Sequence, residues 1–135
     1  MYEILTRHIP VLKKGEYGEW VFDTKNGGTL EHPFRLPFVI YSESVNSLHE
    51  DIYRFVDAHP QHRRYSEILE KNGLEWGMNS MTGADVSQKD GECVVALLLG
   101  ADRAERFSEG TLFKLLENGS ILRWLIRLKE IDEKE

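Results

Sequence analysis

The alternation of apolar and polar positions predicts a mainly α chain with a small amount of sheet near its start. Over residues 2–13, Ile4, Leu5, His8, Ile9 and Leu12 recur at helical spacing, the signature of one amphipathic helix. Pro10 removes a hydrogen bond from its interior and should kink or shorten it; Gly15 and Gly18 end the pattern. Over residues 19–23 the period changes to two, with Trp20 and Phe22 on one side and Glu19, Val21 and Asp23 on the other. Lys25-Asn26-Gly27-Gly28 is a turn signal, because Asn and Gly tolerate positive φ. Residues 29–31 are then a candidate second arm of a hairpin. Residues 36–41 are a third extended candidate, with Pro37 assigning them to an edge or making them irregular. A sheet of two or three strands is expected.

Helices dominate the remainder. Ser42 or Ser44 can cap a helix whose buried stripe is Val45, Leu48, Ile52, Phe55 and Val56, and His59-Pro60 should end it. Tyr65, Ile68 and Leu69 mark a short helix that stops at Asn72-Gly73. Residues 74–87 read as an irregular loop, long for a compact domain, carrying Trp76, Met78 and Met81. Ser87-Gln88-Lys89-Asp90 has the form of a capping box with Asp in place of Glu. It would open a central helix over about residues 88–107. Positions 93–101 of that helix are apolar around the whole circumference, so its middle turns should be enclosed by protein. Ser108 is the expected cap of the next helix (Leu112, Phe113, Leu115, Leu116), which Asn118-Gly119 closes. Ser120 opens a last one with Leu122, Trp124, Leu125, Leu128 and Ile131. The fold class expected is mainly α (α+β), a compact helical domain around a buried central helix with a small N-terminal hairpin or sheet, and residues 1–135 as a single domain.

Composition agrees with a packed domain. Of 135 residues, 41% are apolar and 30% charged, which separates the chain from disordered sequences. No apolar run approaches the roughly 20 residues needed to cross a bilayer, and the start of the chain has no basic, then apolar, then small-residue pattern of a secretory signal. Cys93 is the single cysteine and has no internal disulfide partner, so the expected location is a reducing cytoplasm. The net charge of −6 disfavours a broad contact with nucleic-acid phosphates. Basic clusters such as His62-Arg63-Arg64 are short and have acidic neighbours.

The C-terminal half carries a recognisable pattern: Ala84-Asp85-Val86-Ser87, Asp90-Gly91, Ala96-Leu97, Arg103-Ala104-Glu105-Arg106-Phe107, Glu109-Gly110, Gly119-Ser120-Ile121, Trp124-Leu125 and Leu128. It resembles a family of small, uncharacterised bacterial proteins known only as a domain of unknown function, and is weak before Tyr65. The resemblance implies a small, mainly helical cytoplasmic protein and brings no catalytic residue, cofactor or partner with it.

Two stretches can carry chemistry. At the end of the central helix, Arg103 and Arg106 emerge beside a dry core, where guanidinium groups can hold a carboxylate or phosphate bidentately. The competing reading pairs them with Asp102, Glu105 or Glu109 and with the helix C-terminus. Trp76, Met78 and Met81 lie near Asp85 and Asp90 in sequence, and this segment can cover a small-molecule pocket or simply plug the helical core. Cys93 among Val94, Val95 and Ala96 reads as inert packing. His59 and His62 are separated by Pro60, and His49-Glu50 lacks a second His four residues on, so no metal set is spaced for binding. No phosphate-binding glycine loop, nucleophile elbow or dinucleotide motif occurs, and no cofactor is expected. Two functions follow. The first is a non-catalytic binding or regulatory module meeting a protein partner, or a second copy of itself, through a helical surface such as Trp124 or Tyr53 beside Arg127 or Arg54. The alternative is a small enzyme or binding protein for an acidic ligand, built from Arg103, Arg106, Glu105, Asp85, Asp90 and Trp76.

Overall fold

A computed structural model describes residues 1–21 and 38–134. The first amphipathic stretch forms two short helices rather than one, α1 (Glu3–Thr6) and α2 (Ile9–Leu12). The break falls at Arg7-His8, and Pro10 sits in the first turn of α2, where its missing N–H costs no internal hydrogen bond. Leu5, Ile9 and Leu12 are buried as the spacing requires.

Strand β1 (Gly18–Val21) pairs antiparallel with β2 (Phe38–Tyr41), Gly18 opposite Tyr41 and Val21 opposite Phe38. The third extended candidate is therefore the partner of the first. The expected turn at residues 25–28 and the return arm at 29–31 lie outside the described residues. Trp20 docks this ribbon on the helical body by lying against Gly110. A Cβ on Gly110 would fall 2.2 Å from the indole, and its φ of +90° is itself unfavourable to other residues.

Ser42 caps α3 (Glu43–Ala58) by accepting from the Val45 N–H at 3.3 Å. The expected stripe is buried, and Asp51 is buried with it. After His59 a 3₁₀ turn (Pro60–Arg63) leads to α4 (Tyr65–Lys71). The expected loop at residues 74–87 contains a short helix, α5 (Met78–Thr82), pinned by fully buried Met81.

The central helix, α6 (Gly91–Ala104), is shorter at both ends than its apolar pattern suggested. Its cap is Asp90, not Ser87: Asp90 is extended and its carboxylate accepts the Cys93 N–H at 2.9 Å. Ser87 is instead engaged with Asp85. Every residue from Cys93 to Asp102 is buried, because α3, α4, α5, α7 and α8 pack around this rod. Helix α7 (Thr111–Glu117) starts after Gly110 rather than at Ser108, and α8 (Ser120–Lys134) follows the Asn118-Gly119 break. One cluster of buried side chains draws on helices from α1 to α8. Trp124 lies wholly inside it. It is not the surface aromatic suggested as a contact, because its position on α8 falls between Ile121 and Leu128 on the packed face.

Candidate functional site

Where α6 leaves the core, its last turn runs beside the middle of α3. Two clefts lie along this seam. The first, about 280 Å³, is walled by Tyr53, Val56 and Asp57 of α3, Arg63 of the 3₁₀ turn, Tyr65 of α4, and Leu99 and Arg103 of α6. The second, about 340 Å³, holds Tyr41, Asn46, His49, Asp102, Glu105, Arg106 and Glu109. The His49 and Tyr53 rings, one helical turn apart and 5.0 Å between centroids, stand between them.

In the first cleft, Arg63 is held by Asp57 at 2.8 Å. Among the described residues no carboxylate pairs with Arg103. The neighbouring Tyr53 and Tyr65 hydroxyls favour its charged form and raise its pKa. The Tyr53 hydroxyl is buried and completes no well-formed hydrogen bond among the described residues, a costly state for a polar group away from water. Trp76 supports this cleft from behind. It packs edge-on against Tyr65 and Phe107, with centroids 5.7 and 5.8 Å away, and donates its indole N–H to the Gly100 carbonyl at 2.9 Å. The missing side chain of Gly100 makes room for that contact: a Cβ there would meet the indole at 3.2 Å.

In the second cleft, Asp102 is buried and its Oδ1 lies 2.5 Å from Nδ1 of half-exposed His49. An ionised carboxylate only accepts, so it selects the tautomer with the proton on Nδ1 and leaves the Nε2 lone pair free. Nε2 has no hydrogen-bond partner among the described residues. Glu105 accepts the Gly110 and Leu112 N–H groups at 3.0 Å each and so caps α7. Glu109 accepts the Val39 N–H at 2.9 Å, tying β2 to the α6–α7 turn. Burial, reinforced by the Glu105 carboxylate, raises the pKa of the Tyr41 hydroxyl; its oxygen accepts the Phe113 N–H.

The expected pairing of the two arginines with Asp102, Glu105 or Glu109 is thus replaced by other bonds. Asp102 turns to α3, and both glutamates are taken by backbone amides. Arg106 is exposed and forms no ion pair among the described residues. Of the residues singled out by sequence, Arg103 lines the first cleft, Arg106 and Glu105 the second, and Trp76 backs the first. Asp85 is elsewhere, accepting from the Ser87 N–H and hydroxyl, which lower its pKa, in a shallow cleft beside α8. Asp90 caps the far end of α6, about 20 Å from Arg103 at 1.5 Å per residue. Cys93 is fully buried, and burial pushes its thiol up to about 11.

Sequence reading did not assign His49, Tyr65 or Arg63 to a site, offered Tyr53 only as a surface contact, and gave Asp102 as a partner for the arginines rather than for His49. A signal existed for His49 and Asp102. Asp102 falls about 20° from Val95, and His49 about 40° from Val45, at 100° per residue. Both belong to packed faces.

The stretch Arg103-Ala104-Glu105-Arg106-Phe107 followed by Glu109-Gly110, the most specific part of the pattern seen in the sequence, coincides with the α6–α7 connection that borders both clefts. No curated protein and no solved structure matches the chain. A family model does match, and it reaches well before Tyr65, over residues 13–134: the chain belongs to the family of unknown function DUF6508.

Proposed function

We propose that the α3–α6 seam binds a small acidic ligand, with Arg103 as the anchor for its carboxylate or phosphate. The observation that carries this reading is a guanidinium without a carboxylate partner among the described residues, in a cleft where only the Tyr53 and Tyr65 hydroxyls are seen to act on it. Arg63 and Arg103 face one carboxylate, Asp57, so the cleft has cationic character within a chain of net charge −6. Its volume sits near the lower end of ligand sites, roughly 300–1,000 Å³. That favours a metabolite-sized acid over a macromolecule.

The protein-contact reading loses its main anchor because Trp124 is enclosed, and the Tyr53 hydroxyl is buried toward the cleft. We infer a reducing, cytoplasmic compartment from the single cysteine, which has no internal disulfide partner.

Calorimetric titration and thermal shift with adipate and inorganic phosphate test the proposal. The expected result is saturable binding of at least one of them by the native chain and its loss in Arg103→Ala, whose side chain is outside the core. Equal binding by Arg103→Ala, or no binding of either acid, overturns it.

A further inference from the structure

The second cleft has the parts of an acid–base site but the wrong charge for holding an acid. It carries three carboxylates, Asp102, Glu105 and Glu109, against one guanidinium, Arg106. The acidic end of a ligand therefore belongs in the neighbouring cleft with Arg103, and what reaches past Tyr53 to His49 must be uncharged. All three carboxylates are already engaged: Asp102 by the imidazole, Glu105 by the Gly110 and Leu112 amides, Glu109 by the Val39 amide. The free base among the described lining residues is Nε2 of His49. Among the described residues no Ser, Thr or Cys lines the cleft, and the Tyr41 hydroxyl is held protonated by burial and by Glu105. The nucleophile assigned to this cleft is therefore water.

We propose that His49 is the general base of a hydrolytic site for small esters that also carry a carboxylate, with Asp102 as its positioning residue and Arg103 as the anchor. This rests on the binding role of Arg103 proposed above. His49 Nε2 takes a proton from water as the water oxygen bonds to the ester carbonyl carbon, and the carbonyl π pair moves onto its oxygen. Arg106, in the same cleft, offsets the charge that develops there. The tetrahedral centre collapses, the bond to the leaving oxygen breaks, and the proton on His49 passes to that oxygen. One water is consumed, an acid and an alcohol are released, and His49 is neutral again. Asp102 contributes by holding Nδ1–H from inside the protein, which fixes both the tautomer and the ring plane.

The mono-4-nitrophenyl ester of adipic acid is the probe, with neutral 4-nitrophenyl butyrate as the comparison and adipate as the non-reacting ligand. The native chain should hydrolyse the acidic ester with saturation and with a kcat/KM about tenfold or more above the neutral one, the scale of one charged anchor contact. His49→Ala and His49→Gln should each lower kcat by about 100-fold or more, the usual contribution of a general base, while adipate binding stays unchanged; the melting temperature should fall more in His49→Ala than in His49→Gln, whose amide can still donate to buried Asp102. Asp102→Asn should lower kcat at constant KM and change the pH profile, which a purely structural carboxylate would not do. Arg103→Ala should raise KM. Adipate binding without ester turnover above buffer, or turnover equal to native in both His49 variants, overturns the hydrolytic role and leaves the binding role standing. Failure of adipate and phosphate alike to bind overturns both.

Discussion

At the scale of single residues, two buried ionisable groups set how the fold responds to acid. Asp51, on the packed face of α3, accepts from Arg7 at 2.6 and 3.1 Å, from His8 at 2.6 Å and from Arg54 at 3.2 Å. Burial alone would raise its pKa, but the His8 and Arg7 hydrogen bonds outweigh burial and hold it below the ordinary 3.8. A depressed carboxylate contributes stability above 3.8 that is lost as pH falls through the folded value. His62 works in a higher window. Its ring is buried, Nδ1 has no partner among the described residues, and burial pushes its pKa below 6.5. The unfolded chain therefore takes up that proton first, and stability declines as pH drops from about 6.5. Thermal melts across pH 3 to 8 should show both declines, and His62→Gln should remove the upper one alone. A melting temperature flat from pH 7 to 5 would contradict the account of His62. Removing the Asp51 carboxylate should cost about 3 kcal/mol, the low end for breaking a buried pair, because Arg7 and Arg54 remain largely solvated. Urea unfolding of Asp51→Ala measures it.

At the scale of elements, α6 and its junction with α7 decide most of the architecture. Leu98 is wholly buried in the middle of α6, so Leu98→Ala should cost about 2–5 kcal/mol in denaturant unfolding; a loss under about 0.5 kcal/mol would place that side chain at the surface. Glu105 supplies a cap for α7 from outside that helix, and Glu105→Ala should cost about 1 kcal/mol, the usual worth of a cap, with the ligand test at Arg103 unaffected. The enclosure of residues 93–101 was legible in the sequence because an apolar circumference has one stable solution. Helix ends were less legible. Ser87 and Asp90 both satisfy the composition of a cap, and only the competing bond from Ser87 to Asp85 decides between them. The pairing of β1 with β2 across a long separation was equally hidden, since local turn chemistry at Asn26-Gly27 says nothing about which later strand returns. The site was half legible. Arg103 and Arg106 could be placed at the edge of a dry interior by angle alone, whereas the partners that make them a site come from α3, α4 and β2, which no local pattern brings near.

At the scale of the whole molecule, the continuity of the core from α1 to α8 predicts that the described helices unfold as one unit. Circular dichroism of the helices and fluorescence of Trp124, isolated by Trp20→Phe and Trp76→Phe, should give coincident denaturant transitions, as two-state folding requires. Separated midpoints would divide the chain into independent parts. The ribbon of β1 and β2 is held to the body by Trp20 against Gly110, by the Val39 amide on Glu109 and by the Tyr41 hydroxyl, which accepts the Phe113 N–H. The first two of these contacts sit on the turn that carries Arg106 and walls the His49 cleft. Phe38 and Ile40 stand open on either side of Val39, so a load placed on them falls first on the Val39–Glu109 bond, at the rim of the His49 cleft.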